Sequence, residues 1–273
     1  MTTPGTELPW QLVDARIRTD PARPLLTYYA DPLTAAGDPD PNLADRIDLT
    51  GATWATWVAK TANLLVDDLG LAVDADPAPV VWAALPPHWQ TGVWADAANR
   101  VGAEFVANTP GDEATTTAPN AAADPPAVAV ALPAGVAAAL ATGAADVLVA
   151  PLLPMNAPSP VPLPGGVLDY AAEVAAHGDR FAPPARAPRP SDEALIAAAA
   201  ALVDVAGLRS GDRVLSTGTM PGSPYVELLA VAAVDGSLVL SPDAGALSPA
   251  DRADRWAAER ITAAVPADRD LLG

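Results

Sequence analysis

Two short stretches carry the residue types that could do chemistry. The first is Ser216-Thr217-Gly218-Thr219-Met220-Pro221-Gly222-Ser223-Pro224, rich in hydroxyls and glycine. Such a loop offers backbone amides to an anion at a helix N-terminus, and that geometry works without a lysine. It equally suits a plain turn from strand to helix. The second is Pro86-Pro87-His88-Trp89, which brings one titratable and one aromatic side chain just beyond the apolar run Val80–Leu85. Open parallel sheets collect ligands outside the carboxyl ends of their strands. The loops Pro86–Trp89, Asn108–Gly111 and Thr217–Ser223 are therefore expected to line one shared cleft. Its candidate ligand-binding residues are His88, Trp89, Thr217, Gly218, Thr219, Gly222 and Ser223. On this reading Gly218→Val or His88→Ala alters binding without unfolding the protein. The competing reading is that these are surface loops on a scaffold that binds nothing.

Most other chemistry is excluded. The chain has no Cys, so disulfides, thiolate metal sites and Cys nucleophiles are absent. Its two histidines, His88 and His177, are too few for a His-rich metal centre, and His88 with Asp96 matches no metal-ligand spacing. His177 reads as a helix-end residue facing the C-terminal dipole. There is no Gly-x-Ser-x-Gly elbow, dinucleotide fingerprint or Walker-type loop. The acidic pairs and runs at Asp67-Asp68, Asp38–Asp40 and Asp251–Asp254 read as solvated faces. No catalytic residue and no metal ligand is assigned, and the sequence requires no cofactor.

The elements that must position these loops follow from periodicity. Helices are expected at Leu8–Arg18, at Trp54–Leu69 behind an N-cap at Thr53 and stopped by Gly70, and from the His88 turn to Val101. Further helices are expected at Asp192–Ala206 behind Ser191, near Tyr225–Val234, and at Pro249–Glu259. Between them lie strands Leu25–Ala30, Arg46–Leu49, Val80–Leu85, Glu104–Ala107, Ala127–Leu132, Val147–Ala150, Arg213–Thr217, Ser237–Leu240 and Ile261–Val265. Continuously apolar strands alternating with helices predict a three-layer α/β fold, a mainly parallel sheet with helices on both faces. Residues 1–273 read as a single α/β unit, with lobes at 1–180 and 191–273 joined by the Pro-rich stretch 181–190. The tryptophans read as core.

Fifteen Lys and Arg against 33 Asp and Glu give a net charge of −18. A surface this negative repels nucleic acid and anionic lipid, so neither is an expected partner. The uncharged stretch Ala127–Ala145 has the length of a membrane span but is mostly Ala, interrupted by Pro133, Gly135 and Gly143. It is read as a buried strand and an Ala-rich helix. The N-terminal residues lack a basic, apolar leader, and the expected location is cytoplasmic.

Leu49–Val106 resembles the opening of the adenylate-forming (AMP-binding, acyl-CoA synthetase-like) superfamily. The matching features are Thr53, Gly70-Leu71, Val80–Leu85, Pro86-Pro87 and Gly102-Ala103. Ala206–Thr217 (AGLRSGDRVLST) with Asp235–Leu240, and Trp256–Val265, resemble later parts of the same N-terminal region. The chain is similar to short actinobacterial proteins that lack the family's catalytic motifs. The resemblance implies the fold of the family's N-terminal lobes and also shows what is missing. The family's phosphate loop, ending in Pro-Lys, should fall between Phe181 and Ala197, where FAPPARAPRPSDEALIA contains neither Gly nor Lys. The loop at Ser216–Pro224 has Tyr225 where that Lys belongs and lies one strand too late. The family's ribose-binding Asp and catalytic Lys have no match. The resemblance thus implies a non-catalytic, truncated homologue, a pseudoenzyme, that binds a nucleotide or acyl ligand or docks a protein partner. The alternative is an AMP-dependent synthetase/ligase-like enzyme with residual nucleotide or acyl-CoA binding.

Overall fold

A computed structural model describes residues 7–29, 46–73, 75–108, 125–153, 156–218 and 224–272. In chain order the first half holds α1 (Pro9–Thr19), β1 (Pro24–Tyr29), β2 (Arg46–Thr50), α2 (Gly51–Asn63), β3 (Val80–Ala84), α3 (Trp89–Val101) and β4 (Glu104–Ala107). Next come β5 (Val128–Ala131), α4 (Val136–Ala141), β6 (Asp146–Val149), β7 (Val167–Asp169) and α5 (Tyr170–Val174). The last third holds α6 (Pro190–Ala206), β8 (Arg213–Ser216), α7 (Pro224–Ala233), β9 (Ser237–Leu240), α8 (Pro249–Glu259) and β10 (Ala263–Ala264).

Contacts divide the chain into two compact units. One comprises residues 1–54, 87–92 and 187–273, the other residues 55–86 and 93–186. Each is built on a five-stranded sheet, mostly parallel and packed with helices, so the fold is α/β.

The first unit has strand order β10-β8-β9-β1-β2. All neighbours are parallel except β2, which is antiparallel to β1. Leu26, Thr27 and Tyr28 of β1 lie opposite Leu238, Val239 and Leu240 of β9. Consecutive residues in β1, β8 and β9 are buried, and successive side chains point to opposite faces, so both faces are covered. Leu215 packs against Trp256 of α8.

The second unit has order β4-β3-β5-β6-β7, wholly parallel. Every residue of Val128–Ala131 is buried, which explains why this run shows no alternation. The uncharged stretch from Ala127 is therefore β5 followed by the short α4. No helix among the described residues is long and apolar enough to cross a membrane. Trp82 and Trp94 are core residues here, and Trp94 lies 4.8 Å from the Tyr170 ring. Asp96 pairs with Arg100 one helical turn away at 3.0 Å, and His177 Nε2 meets Asp68 Oδ2 at 3.1 Å.

Two helix starts differ from the sequence expectation for a clear local reason. Thr50, not Thr53, caps α2: its Oγ1 accepts the Thr53 amide at 3.1 Å, and the helix begins at Gly51. The cap of α6 is at Arg189, whose amide donates to Asp192 Oδ2 at 2.8 Å, with Pro190 as the first helical residue. Gly70 (φ +63°) ends the helical turn Leu64–Asp68 as expected of a left-handed stop.

One carboxylate gathers the first unit. Glu259, buried at the end of α8, accepts hydrogen bonds from Tyr29 of β1, Arg46 of β2 and Arg213 of β8. Burial alone would push its carboxyl up; the bonds from Arg46, Tyr29 and Arg213 outweigh that and hold it at about 2. Because the folded value lies below the unfolded one, this stabilisation is full above about pH 4.5 and lost as pH falls through about 2. Glu259→Gln leaves two arginines without their shared partner and is expected to lower unfolding free energy by about 2–4 kcal/mol at pH 7. Urea denaturation should show that difference shrinking as pH is lowered from 5 toward 2.

Candidate functional site

The residues singled out from sequence do not all behave as ligand contacts. His88 precedes α3 and is buried. Its Nδ1 accepts the Gln90 amide at 3.1 Å, so the imidazole is the neutral Nε2–H tautomer serving as a helix cap. Its carbonyl accepts the Thr91 amide at 3.1 Å. The ring packs edge-on against Tyr28 at 4.5 Å and beside Trp89 at 5.6 Å. Burial pushes its pKa down to about 3, so it stays uncharged near neutrality. Trp89 is itself buried.

Thr217 and Gly218 follow β8. The Asp268 carboxylate accepts both the Thr217 amide and the Thr217 hydroxyl, each at 2.7 Å. The Gly218 amide donates to Ser216 Oγ at 2.9 Å. These donors, which the sequence offered to an anion, are thus engaged, two of them by a negative charge. Gly218 has φ +75°, and a Cβ there would lie 2.8 Å from Pro87 Cγ and closer still to Pro87 Cβ. The turn before His88 and the turn after β8 are therefore in contact. Asn108 donates its amide to Ala83 O at 2.7 Å within its own unit. Thr219, Gly222 and Ser223, and residues 109–111, lie outside the described residues.

Two acidic residues at this edge were not singled out from sequence. Asp268 has no local signal, since it reaches Thr217 from 51 positions away. Glu227 had one: it is a lone charge in the apolar helix PYVELLAVAA. It is buried in α7, bonds with Ser216, and its Oε2 has no hydrogen-bond partner among the described residues. Burial, opposed by the Ser216 bond and reinforced by Asp268, raises its carboxyl to about 7. Around Thr217 this edge is thus apolar and acidic, with a carboxyl group that is largely protonated below neutral pH. Among the described residues no group of three or more His, Asp or Glu is placed to hold a metal ion.

No protein-family model matches the chain. A protein of Mycobacterium tuberculosis (strain ATCC 25618 / H37Rv) is 38% identical over 277 residues, covering 96% of this chain and 99% of that protein, and is described as a TIGR03089 family protein. The chain belongs to the TIGR03089 family. Its actinobacterial relative thus has nearly the same length. Among solved structures, an acyl-CoA synthetase of Brucella canis is similar with a TM-score of 0.71 and 18% identity, covering 96% of this chain and 48% of that one. Acetoacetyl-CoA synthetase from Streptomyces lividans gives a TM-score of 0.63 at 18% identity over 86% of this chain and 38% of its own. Apo MatB from Rhodopseudomonas palustris gives 0.59 at 18% identity over 91% and 47%. This TIGR03089 family member therefore shares the α/β fold of the N-terminal lobes of adenylate-forming enzymes, and spans about half the length, or less, of these three proteins.

Glu227 sets a pH dependence opposite in sign to that of Glu259. Its folded value exceeds the unfolded one, so its contribution is full below about pH 4.5 and lost as pH rises through about 7. Glu227→Gln, which removes the titrating proton, is expected to flatten the stability profile in that window. Above pH 8 it should unfold later than the parent by on the order of 2 kcal/mol, read by chemical denaturation at pH 5 and pH 8. At Gly218 the left-handed backbone and the Pro87 contact overturn the expectation that Gly218→Val leaves folding intact. Even Gly218→Ala is expected to cost about 1–3 kcal/mol, measured by the same method.

Proposed function

We propose that this protein is a non-catalytic module on an adenylate-forming scaffold, which binds a small acyl-type ligand at the carboxyl edge of the β8–β9–β1 sheet. The observation that carries the reading is Asp268. Adenylyl transfer depends on positioning and neutralising phosphate charge. Here a carboxylate takes the amide and hydroxyl of Thr217 at 2.7 Å, and the buried Glu227 lies beside it. Nucleotide phosphates are disfavoured there, whereas the apolar surroundings of Pro87, Trp89 and Leu240 suit an acyl chain. The sequence supports the same reading, since Phe181–Ala197 contains neither Gly nor Lys. The net charge of −18 favours a freely dissolved protein with neither nucleic acid nor membrane as partner, and we place it in the cytoplasm.

ATP–pyrophosphate exchange across a panel of carboxylic acids is expected to stay at background. Sustained exchange would instead establish an AMP-dependent ligase. In a thermal-shift screen with ATP, AMP, CoA and acyl-CoAs, acyl-CoAs should raise the midpoint above the level reached with CoA or ATP, the acyl chain supplying the difference, because a ligand that binds only the folded state stabilises it. Absence of any shift would point to a protein-docking scaffold.

A further inference from the structure

The strands β10, β8, β9 and β1 are mutually parallel, so they all begin at one edge of their sheet, opposite the edge discussed above. At that amino edge lies a cleft of about 270 Å³ whose lining includes Arg23, Arg213, Gly236, Ser237, Arg260 and Thr262. Three arginines line it, on a chain whose net charge is −18. We propose that this cleft binds a small phosphate-bearing anion, held by Arg260 and Arg23 with the Ser237 hydroxyl as a third donor.

The candidate donors differ in what they already hold. Arg213 is structural: its guanidinium serves Glu259, Thr27 and Ser237. Arg23 is ion-paired with Asp235 through Nη2, and among the described residues its Nε and Nη1 have no partner. Ser237 Oγ accepts from Arg213 at 3.2 Å, and no described residue takes its own proton. Arg260 makes no side-chain hydrogen bond or ion pair with any described residue, although it lines the cleft. It also occupies a left-handed position after α8, φ 55°, where glycine is the usual residue. A bulky cation in a glycine position, without a side-chain partner among the described residues, is placed to meet a ligand from outside.

Nearby carboxylates already balance Arg23 and Arg213, which leaves Arg260 as the arginine of the lining with no carboxylate partner among the described residues. Asp235 lies 3.3 Å from Arg16 and 3.0 Å from Arg23, and Glu259 is buried between Arg46 and Arg213. Asp212 accepts the Thr262 hydroxyl at 2.8 Å and the Arg209 amide at 2.7 Å. Gly236 contributes no side chain to the lining, and a Cβ there would strike Asp212 O at 2.5 Å. A lining with two guanidinium groups and a hydroxyl offers more donors than a planar carboxylate can use, which suits a tetrahedral oxyanion better.

The test uses the full chain, with inorganic phosphate, pyrophosphate and citrate as probes in isothermal titration calorimetry at two salt concentrations. Pyrophosphate should bind saturably at one site, more tightly than citrate, and more weakly as salt is raised. Arg260→Gly should weaken that binding by at least about tenfold, while its thermal midpoint without ligand stays level or rises because glycine suits the backbone there. Arg260→Lys should fall between the two. Three results would overturn the proposal: no saturable binding at millimolar pyrophosphate, citrate binding as tightly as pyrophosphate, or full affinity retained in Arg260→Gly. This site is independent of the acyl-ligand reading, so failure of either leaves the other standing.

Discussion

The parallel pairing of β1 with β9 is the contact on which the first unit depends. Leu26 lies opposite Leu238, so a strand near the N-terminus completes a sheet whose other parallel members all follow residue 212. The pairing brings Arg16 to Gly236 O at 2.9 Å and Arg213 to Thr27 at 2.9 Å. It also sets Tyr29 and Arg46 beside Glu259. Without it, that carboxylate would be a buried charge facing only Arg213, an arrangement that desolvation makes unfavourable.

The two ends of the same sheet carry different groups. Where the strands finish, Asp268 occupies the donors of the first turn and Glu227 sits among apolar residues. Where they begin, guanidiniums line the opening. Enzymes that handle phosphate at the carboxyl end of such strands present amides, hydroxyls and cations there. In this chain Asp268 holds the donors of Thr217 and arginines line the opposite edge, and the two functional readings start from those observations.

Much of the secondary structure could be read from the residues, because continuous apolar runs such as Val128–Ala131 and the stop at Gly70 are local signals. Helix starts were legible only to within a turn: Thr50 and Thr53 are both good caps, and the strand β2 leading into α2 decides between them. The partnership of residues 1–54 with 187–273 was not legible, since pairing such as Leu26 with Leu238, across some two hundred positions, leaves no mark on periodicity. At the candidate site, sequence placed His88 and Gly218 in turns after strands. It could not show that His88 faces inward as a cap, or that Asp268 would reach the donors of Thr217. Those facts are made by tertiary contact.

The order in which the strands are made has a consequence during biosynthesis. Tyr29 leaves the peptidyl-transferase centre 211 residues before Leu240, the end of its parallel neighbour. At ~5–20 residues per second that interval is about 10–40 s. Throughout it the apolar strand PLLTYY has only β2 available as a hydrogen-bonding partner. A nascent chain in this condition exposes a sticky edge, so its yield should depend on how long chaperones can shield the first thirty residues.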